Sequence, residues 1–283
     1  MELLTTVADM VKARNAASGL LGLVPTMGYL HAGHLALVKR ASEETTAVVV
    51  SIFVNPTQFG PTEDLATYPR DMEHDLALLE QESVDIVFAP SVEEMYPAGY
   101  STYVDVEGIT SRLEGKQRPE HFRGVATVVA KLFTIVRPDC SYFGQKDGQQ
   151  LVVVRRLARD LNLCTEVVAV PTVREPDGLA LSSRNAYLSK REREAAPVLS
   201  RALRRVEELW RGGERDGEAL RREMLGMVQA EPLAELDYVS VADVATLEEL
   251  SAVDRPAMAS LAVRIGRVRL IDNVQLGGEE EMS

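Results

Sequence analysis

The sequence predicts an α/β fold in which a parallel sheet flanked by helices is joined to a smaller C-terminal α+β domain. Apolar, β-branched runs alternate with helix-length amphipathic segments in the first part of the chain, which is typical of βαβ units. Runs such as residues 47–53 are almost continuously hydrophobic, as strands buried on both faces are. After Ser189 the composition changes to Arg, Glu, Ala and Leu, so a second domain is expected there.

The individual elements follow from hydrophobic periodicity. In the first domain, strands are expected at residues 20–24, 47–53, 85–88 and 165–170, and helices at residues 33–44, 72–82, 124–136 and 149–161. In the second, helical segments are expected at residues 190–211 and 217–229, and strands near residues 236–241, 257–264 and 267–271. We place the domain boundary near Pro176, which gives domains of residues 1–175 and 176–283. The acidic end, residues 277–283, is expected to be a frayed tail.

Charge and composition favour small-molecule chemistry. The chain of 283 residues has a formal net charge of −12, which disfavours binding to nucleic acid. The N-terminus lacks a secretory pattern and no apolar run is long enough to cross a bilayer, so no membrane association and a cytoplasmic location are expected. Cys140 and Cys164 are expected to be reduced thiols without a chemical role.

The segment between the first strand and the first helix is the most informative. Residues 25–34 read Pro-Thr-Met-Gly-Tyr-Leu-His-Ala-Gly-His, and His31 and His34 stand three apart at a helix start. Glycines allow close approach of the backbone to a ligand, and imidazoles beside N–H groups of a helix start can hold a polyphosphate. Two alternatives are open: the histidines only cap the helix, or they bind a metal, although no nearby cysteine or carboxylate completes a zinc set.

A second cluster follows the strand at residues 47–53. Asn55 and Gln58 offer amides that suit a hydroxylated carboxylic acid, while Asn-Pro-Thr is also an ordinary turn. Asp75 is either a solvated surface residue or a magnesium ligand acting through water.

Three further clusters combine basic groups with loop residues. Residues 114–124 include Arg118 and His121 and are either an exposed loop or an anion clamp. Lys146 lies between a strand and a helix, where a lysine can contact phosphate or simply be solvated. In residues 173–185, two serines and Arg184 can bind phosphoryl oxygens, or the segment is a plain loop.

Together, these five segments resemble pantothenate synthetases, in matching order and at matching intervals across residues 20–190. The resemblance implies a Rossmann-like nucleotidyltransferase fold shared with class I aminoacyl-tRNA synthetases, with residues 31–34 as its His-x-Gly-His motif and residues 181–184 as its second, mobile phosphate-binding motif. It also implies an ATP-dependent ligase that condenses pantoate with β-alanine through a pantoyl adenylate and releases AMP and pyrophosphate, in the biosynthesis of pantothenate and coenzyme A.

Carried over residue by residue, the resemblance implies a set of contacts for each ligand. ATP would contact Met27, Gly28, Tyr29, Leu30, His31, Ala32, Gly33, His34, Gly144, Gln145, Lys146, Asp147, Val173, Leu181, Ser182, Ser183 and Arg184. The catalytic residues would be His34 as acid, His31, Lys146 and Arg184. Pantoate and β-alanine would contact Gln58, Gln150, Asn55, Arg118 and His121. Mg²⁺ would accompany ATP, and the chain would form a homodimer.

Three positions depart from the family pattern. Gln145 stands where related sequences have glutamate, Gly148 where they have an aromatic residue, and His74 where some have an acidic residue. Two rival functions stay open. One is a mononucleotide adenylyltransferase of the same superfamily, which would stop at a dinucleotide; the other is a catalytically silent nucleotide-binding module, of which Gln145 and Gly148 would be early signs. Only the ligase would release AMP.

Overall fold

The structure, a computed structural model, describes residues 1–61 and 63–277. The chain forms two compact units: unit 1 is Met1–Gly144 with Gln150–Pro171, and unit 2 is Gln145–Gln149 with Thr172–Ser283. The sequence-based boundary near Pro176 lies close to the second of these divisions, but it did not foresee that Gln145–Gln149 belongs with unit 2. The expected tail beyond Gly277 lies outside the described residues.

In the described part of unit 1, six parallel strands form one sheet in the order β1-β4-β3-β2-β5-β6. The strands are β1 (Glu2–Leu4), β2 (Leu21–Thr26), β3 (Ala47–Ile52), β4 (Ile86–Phe88), β5 (Cys140–Gly144) and β6 (Glu166–Val170). The predicted α/β class is therefore confirmed. The strand order reverses direction between β2 and β5, and in open parallel sheets ligands bind beyond the carboxyl ends of the strands at such a point. The segment Met27 to His34 follows β2 at that position.

Helices connect these strands. They are α1 (Val7–Ala16), α2 (Ala32–Glu44), α3 (Met72–Gln81), α4 (Val92–Met95), α5 (Glu114–Gln117), α6 (His121–Val136) and α7 (Gly148–Asp160). Short 3₁₀ turns at Pro56–Gln58, Gln145–Asp147 and Ser183–Tyr187 coincide with three of the polar clusters. The exposed-loop interpretation of residues 114–124 is wrong for its beginning, because Glu114 is helical and only 7% exposed.

The core of unit 1 is built from the β-branched runs that predicted the strands. Val24, Val48, Val50 and Val87 are buried in one cluster, with Leu79 of α3 packed among them. Removal of this apolar surface from water is the main driving force for the layered arrangement. The sheet therefore provides a rigid base for the loops at its carboxyl edge.

Unit 2 is the expected small α+β domain. Its described residues contain α8 (Lys190–Ala195), α9 (Val198–Arg211), α10 (Gly217–Gln229) and an antiparallel sheet of β7 (Ala234–Asp243), β8 (Ala257–Ile265) and β9 (Val268–Leu276). The single helical segment expected at residues 190–211 is wrong: it is divided between α8 and α9 at Pro197, whose ring cannot continue a helix. β9 extends five residues beyond its expected end at residue 271, because the polar pair Asp272 and Asn273 interrupts the apolar pattern.

No helix among the described residues is long and apolar enough to cross a membrane.

Candidate active site

The loop after β2 bends sharply, with two residues in the left-handed region. Gly28 has a φ of +80° and Tyr29 a φ of +53°, and a Cβ on Gly28 would lie only 2.9 Å from Oδ2 of Asp75. Glycine is therefore required at position 28 by both its conformation and its surroundings. The Gly28 amide donates to the Thr26 hydroxyl (3.2 Å), which donates to the carbonyl oxygen of Ser51 (2.7 Å). These bonds join the loop to β3.

Asp75, in the first turn of α3, holds the same loop with both carboxylate oxygens. Oδ2 accepts from the Tyr29 N–H (2.8 Å) and Oδ1 accepts from the Leu30 N–H (2.7 Å). The residue is 1% exposed, and hydrogen bonds to a buried charge are among the stronger ones. A magnesium contact through water was predicted for Asp75 and stays a prediction; the structure shows that its carboxylate fixes two backbone amides of the candidate ATP loop.

His31 and His34 cap α2 reciprocally. Nδ1 of His31 accepts from the Gly33 N–H (3.1 Å), and Nδ1 of His34 accepts from the His31 N–H (3.3 Å). The ring centroids are 4.1 Å apart. A ring nitrogen that accepts carries no proton, so the neutral form of each ring has its hydrogen on Nε2. Both histidines therefore cap the helix, and this sets the tautomer in which Nε2–H is a donor. Contact with phosphate stays a prediction.

Asn55 is buried, with 1% of its surface exposed, and its side chain is fully engaged. Oδ1 accepts from the hydroxyls of Tyr96 and Thr57, each at 2.9 Å. Nδ2 donates to Oε1 of Gln58 and to the carbonyl oxygen of Gly124, each at 3.1 Å. Two donors at one end and two acceptors at the other leave only one orientation of the amide. Direct substrate contact by Asn55 stays a prediction, and its visible role is to orient Gln58.

The orientation of Gln58 follows from that of Asn55. Since Oε1 of Gln58 accepts from Asn55, its Nε2 is turned to the other side, where it lies 3.2 Å from Sδ of Met27. Burial raises the pKa of Tyr96 to about 12, so this phenol remains a donor at neutral pH. Tyr96 was not identified from the sequence, which gives no local signal for it.

Arg118 and His121 lie beside the backbone of Gln58. The Arg118 guanidinium donates to both carboxylate oxygens of Glu63, at 2.5 and 2.6 Å, and to the Gln58 carbonyl oxygen at 3.3 Å. Although burial acts to raise it, Arg118 holds the pKa of the Glu63 carboxyl below its ordinary value. This ion pair was not predicted. The Arg118 guanidinium, which was expected to bind substrate anions, is bonded to Glu63 instead.

His121 is a neutral imidazole in this arrangement. Burial, reinforced by the Arg118 cation, lowers the pKa of His121 to about 4. Its Nδ1 lies 2.9 Å from the carbonyl oxygen of Gln58, which can only accept, so Nδ1 carries the proton and Nε2 carries a lone pair. Gln150, the other residue expected at pantoate, lies half-buried in the first turn of α7.

In unit 2, the lysine segment forms a short 3₁₀ turn, Gln145–Asp147. Nζ of Lys146 lies 3.5 Å from Oδ1 of Asp147. Nδ2 of Asn273 donates to the carbonyl oxygens of Gln145 and Lys146, both at 2.8 Å. The backbone on either side of Lys146 is therefore held by a residue more than 120 positions later in the chain.

The same side chain explains the glycine at position 148. A Cβ on Gly148 would lie 2.6 Å from Sδ of Met258 and 3.0 Å from Nδ2 of Asn273. The space beside the helix start is already filled by these two side chains, so an aromatic residue does not fit here without their displacement. Within unit 2, the glycine is thus matched to its neighbours.

The segment that contains Val173 and Leu181 is a narrow hairpin. The Leu181 N–H donates to the Val173 carbonyl oxygen (3.0 Å), and Arg174 pairs with Ala180. The Arg174 guanidinium donates to both oxygens of Asp272, at 2.6 and 2.9 Å, and to the carbonyl oxygen of Gly178 at 3.1 Å. The hairpin is therefore anchored to β9 by a buried carboxylate.

The serine pair begins the next turn. The Ser182 hydroxyl accepts from the Arg184 N–H (3.3 Å) and caps the 3₁₀ turn Ser183–Tyr187. The side chains of Ser182, Ser183 and Arg184 are all half-buried. A capped turn that presents hydroxyls and a guanidinium has the donor groups an oxyanion needs.

Each unit therefore gathers its own share of the predicted residues. Unit 1 brings Met27 against Gln58, and places Arg118 and His121 at the Gln58 backbone. In unit 2, β9 binds the lysine segment and the hairpin. Sequence reasoning missed four residues that hold these groups in place: Glu63, Tyr96, Asp272 and Asn273. A signal existed only for the last two, as adjacent polar residues within an apolar strand.

Among residues 1–61 and 63–277, no group of three or more His, Cys, Asp or Glu side chains is arranged to hold a metal ion. Asp75, the predicted ligand, already has both oxygens bonded to backbone amides. A magnesium ion here would rely mainly on substrate phosphates, as this ion commonly does.

Comparison with known proteins identifies the family of the chain. The family model for pantoate-beta-alanine ligase matches residues 2–275. Pantothenate synthetase from Roseiflexus sp. (strain RS-1) is 61% identical over 276 residues, which cover 98% of this chain and 99% of that protein.

Solved structures give the same result. Pantothenate synthetase from Thermus thermophilus superposes with a TM-score of 0.93 at 52% identity, covering 98% of this chain and 100% of the other. The Francisella tularensis pantoate-beta-alanine ligase, solved with beta-gamma ATP and beta-alanine, superposes with a TM-score of 0.77 at 36% identity, covering 97% of each chain. The chain therefore belongs to the pantoate-beta-alanine ligase family.

Proposed function

We propose that this protein condenses pantoate with β-alanine at the expense of ATP, forming pantothenate, AMP and pyrophosphate through a pantoyl adenylate. The observation that carries the proposal is the family match over residues 2–275, which includes all five polar segments. The Francisella relative, solved with beta-gamma ATP and beta-alanine, supports the choice of co-substrates. The local geometry of each unit supplies the chemical detail.

In the first step, a pantoate carboxylate oxygen attacks the α-phosphorus of ATP. The bond from that phosphorus to the β-phosphate oxygen breaks, and pyrophosphate leaves with the electron pair. The Nε2–H groups of His31 and His34 donate to the phosphate oxygens on which charge grows, and Asp75 keeps the backbone of Tyr29 and Leu30 in place for the same ligand. Preorganised donors of this kind act without reorganisation during the reaction.

The groups of unit 2 act on the leaving pyrophosphate. Lys146 and Arg184 supply positive charge, and the hydroxyls of Ser182 and Ser183 supply donors. The remaining residues proposed to contact ATP are Met27, Gly28, Ala32, Gly33, Gly144, Gln145, Asp147, Val173 and Leu181.

In the second step, the amine of β-alanine attacks the carbonyl carbon of the mixed anhydride. The carbon–oxygen bond to the phosphate breaks, AMP leaves with the electron pair of that bond, and the proton of the amine passes to water. Gln58 and Gln150 hold pantoate, with Nε2 of Gln58 as the donor that Asn55 directs. Arg118, once released from Glu63, pairs with a substrate carboxylate.

Three further features belong to the proposal. Magnesium would accompany ATP and neutralise phosphate charge, and Asp75 bonds to the loop that would hold those phosphates. The protein is a homodimer, which the family resemblance supports. It acts in the cytoplasm, where its co-substrate ATP is available.

Isotope exchange between pyrophosphate and ATP tests the proposal. We expect exchange to require pantoate but not β-alanine, and AMP release to require both, because the adenylate forms before the amine reacts. Exchange that ignores pantoate would contradict the ligase. A dinucleotide product in place of AMP would favour the adenylyltransferase, and tight ATP binding without exchange would favour the silent module.

The orientation of Gln58 gives a second prediction. Asn55→Ala removes the donor to Gln58 Oε1, so the amide can rotate, and we expect the KM for pantoate to rise about tenfold from loss of a fixed hydrogen bond. Tyr96→Phe should raise it only two- to threefold, roughly, because Thr57 still donates to Asn55. Steady-state kinetics at varied pantoate checks both values. Equal effects of the two variants, or a change confined to the KM for ATP, would be evidence against this chain of contacts.

A further inference from the structure

β9 carries two adjacent polar residues that are both buried. Asp272 is 3% exposed and Asn273 is 9% exposed. Buried polar side chains are retained when their hydrogen bonds are made, and each of these residues bonds to a segment far away in sequence. Asn273 binds the lysine turn, and Asp272 binds the hairpin that leads to Ser182.

We propose that Asp272 and Asn273 are positioning residues for adenylation, which hold the two candidate phosphate-binding segments of unit 2 on one strand. The inference deepens the proposed function and rests on it. Neither residue acts on ATP itself. They act through Lys146 and through the hairpin from Val173 to Leu181.

The Asn273 contact is specific to an amide. Its NH₂ group has two hydrogens, and both are used, on the carbonyl oxygens of Gln145 and Lys146 at 2.8 Å. These carbonyl groups flank the lysine whose ammonium is proposed to meet the phosphates. An aspartate of the same shape would present oxygen to oxygen and would repel both carbonyl groups.

The Asp272 contact is specific to a carboxylate. Two parallel bonds to Arg174 fix the guanidinium plane, and a third bond runs from Arg174 to the Gly178 carbonyl oxygen. Asp272 Oδ1 also accepts from the Asn273 N–H at 2.8 Å. This bond joins the two residues, so we expect a substitution of Asp272 to shift the position of Asn273 as well.

Gly148 is the third member of this arrangement. Because a Cβ there would lie 3.0 Å from Nδ2 of Asn273 and 2.6 Å from Sδ of Met258, the glycine leaves room for the amide to reach the lysine turn. The departure from the family pattern is therefore explained as a fit between Gly148 and the side chains of β8 and β9.

The test compares Asn273→Asp, Asn273→Ala and Asp272→Asn with the wild type. We expect the maximal rate of pantoate-dependent pyrophosphate exchange to fall by about 10-fold or more, since small misplacements of a reacting group have large effects on rate. The KM for ATP should rise, while the KM for pantoate changes by less than roughly twofold, because unit 1 is proposed to hold that substrate. Deuterium uptake of the segment around Lys146 should increase in Asn273→Ala, and this readout does not depend on catalysis.

Ser260→Ala is the matched control. Ser260 pairs with Asn273 across β8 and β9, and its buried hydroxyl has no hydrogen-bond partner among the described residues. Its removal should leave exchange and deuterium uptake unchanged. A folded Asn273→Asp variant with normal exchange and a normal KM for ATP would overturn the inference, as would a loss of activity that merely follows thermal stability.

Gly148→Ala provides a milder variant that keeps every polar group. It should reproduce the effect of Asn273→Ala, and the double variant should be no worse than either single one, because residues in one network are not additive. If the effects of Gly148→Ala and Asn273→Ala on exchange add in the double variant, the two residues do not act through the same contact. If the wild type shows no exchange while deuterium uptake around Lys146 still rises in Asn273→Ala, the proposed function fails but the positioning contact stands.

Discussion

His34→Asn and His34→Ala are expected to lower the rate of adenylation equally, on the order of 10²-fold, because both remove the Nε2–H donor proposed for the phosphate oxygens. They should differ in stability. Asparagine keeps an acceptor near the position of Nδ1, which receives the His31 N–H, whereas alanine loses it. We expect His34→Ala to lose about 1 kcal/mol of unfolding free energy, the usual effect of a lost cap, and His34→Asn to lose less.

Pyrophosphate exchange and urea denaturation of the same samples separate the two roles of this histidine. His31, whose Nδ1 caps the Gly33 N–H, offers the corresponding pair of substitutions. If His34→Asn exchanges pyrophosphate at nearly the normal rate, the residue serves only as a cap. A rate loss that recovers when stability is restored by lower temperature would lead to the same conclusion.

Asp75→Ala is expected to have the second large effect, on both stability and rate. Two backbone N–H groups, those of Tyr29 and Leu30, would lose a charged acceptor, at roughly 1.5 to 3 kcal/mol for each bond. The loop that precedes His31 would also lose its fixed position, and we expect adenylation to fall about 10²-fold. Asp75→Asn should be intermediate, because one oxygen remains and the NH₂ group faces a donor.

A magnesium titration distinguishes positioning from metal binding. If Asp75 acts by holding the loop, excess Mg²⁺ should not restore the rate of either variant. Recovery at high Mg²⁺ would instead assign Asp75 to the metal. Asp71→Asn is the matched control, since it removes the same charge from the exposed N-cap of α3 while keeping an acceptor for the His74 N–H. It should be nearly neutral.

Glu63 and Arg118 show why sequence patterns identify the residues of a site more readily than the partners to which those residues bond. The basic residue was expected at a substrate anion, but its guanidinium lies on Glu63. Both residues are polar, both lie in loop-like sequence, and they are 55 positions apart. A charged side chain on a loop pairs with whichever opposite charge lies near it in the folded protein. The spacing of residues along the chain does not show which one that is.

Local physical chemistry made much of the molecule predictable from its sequence. The runs of valine around residues 47–53 can be buried only in a strand covered on both faces, and glycines with histidines after the first such strand indicate a ligand loop. Helix α10 was predicted at its observed bounds, Gly217–Gln229, because its apolar spacing and its flanking residues agree. The unit that contains Asp272 was predicted only in outline, since its strands carry no motif.

What the sequence determined by itself was the class of the fold, the order of most helices and strands from residue 20 onward and the polar segments at the ends of strands, because these depend on neighbours a few residues apart. Strand β1 and helix α1, which precede residue 20, were not predicted. The tertiary structure decided which side chains hold those segments. Asp75 reaches Tyr29 across 46 positions, and Asn273 reaches Gln145 across 128. Hydrogen bonds of this kind form only after the hydrophobic layers have packed, since packing removes the water that would otherwise satisfy the same groups.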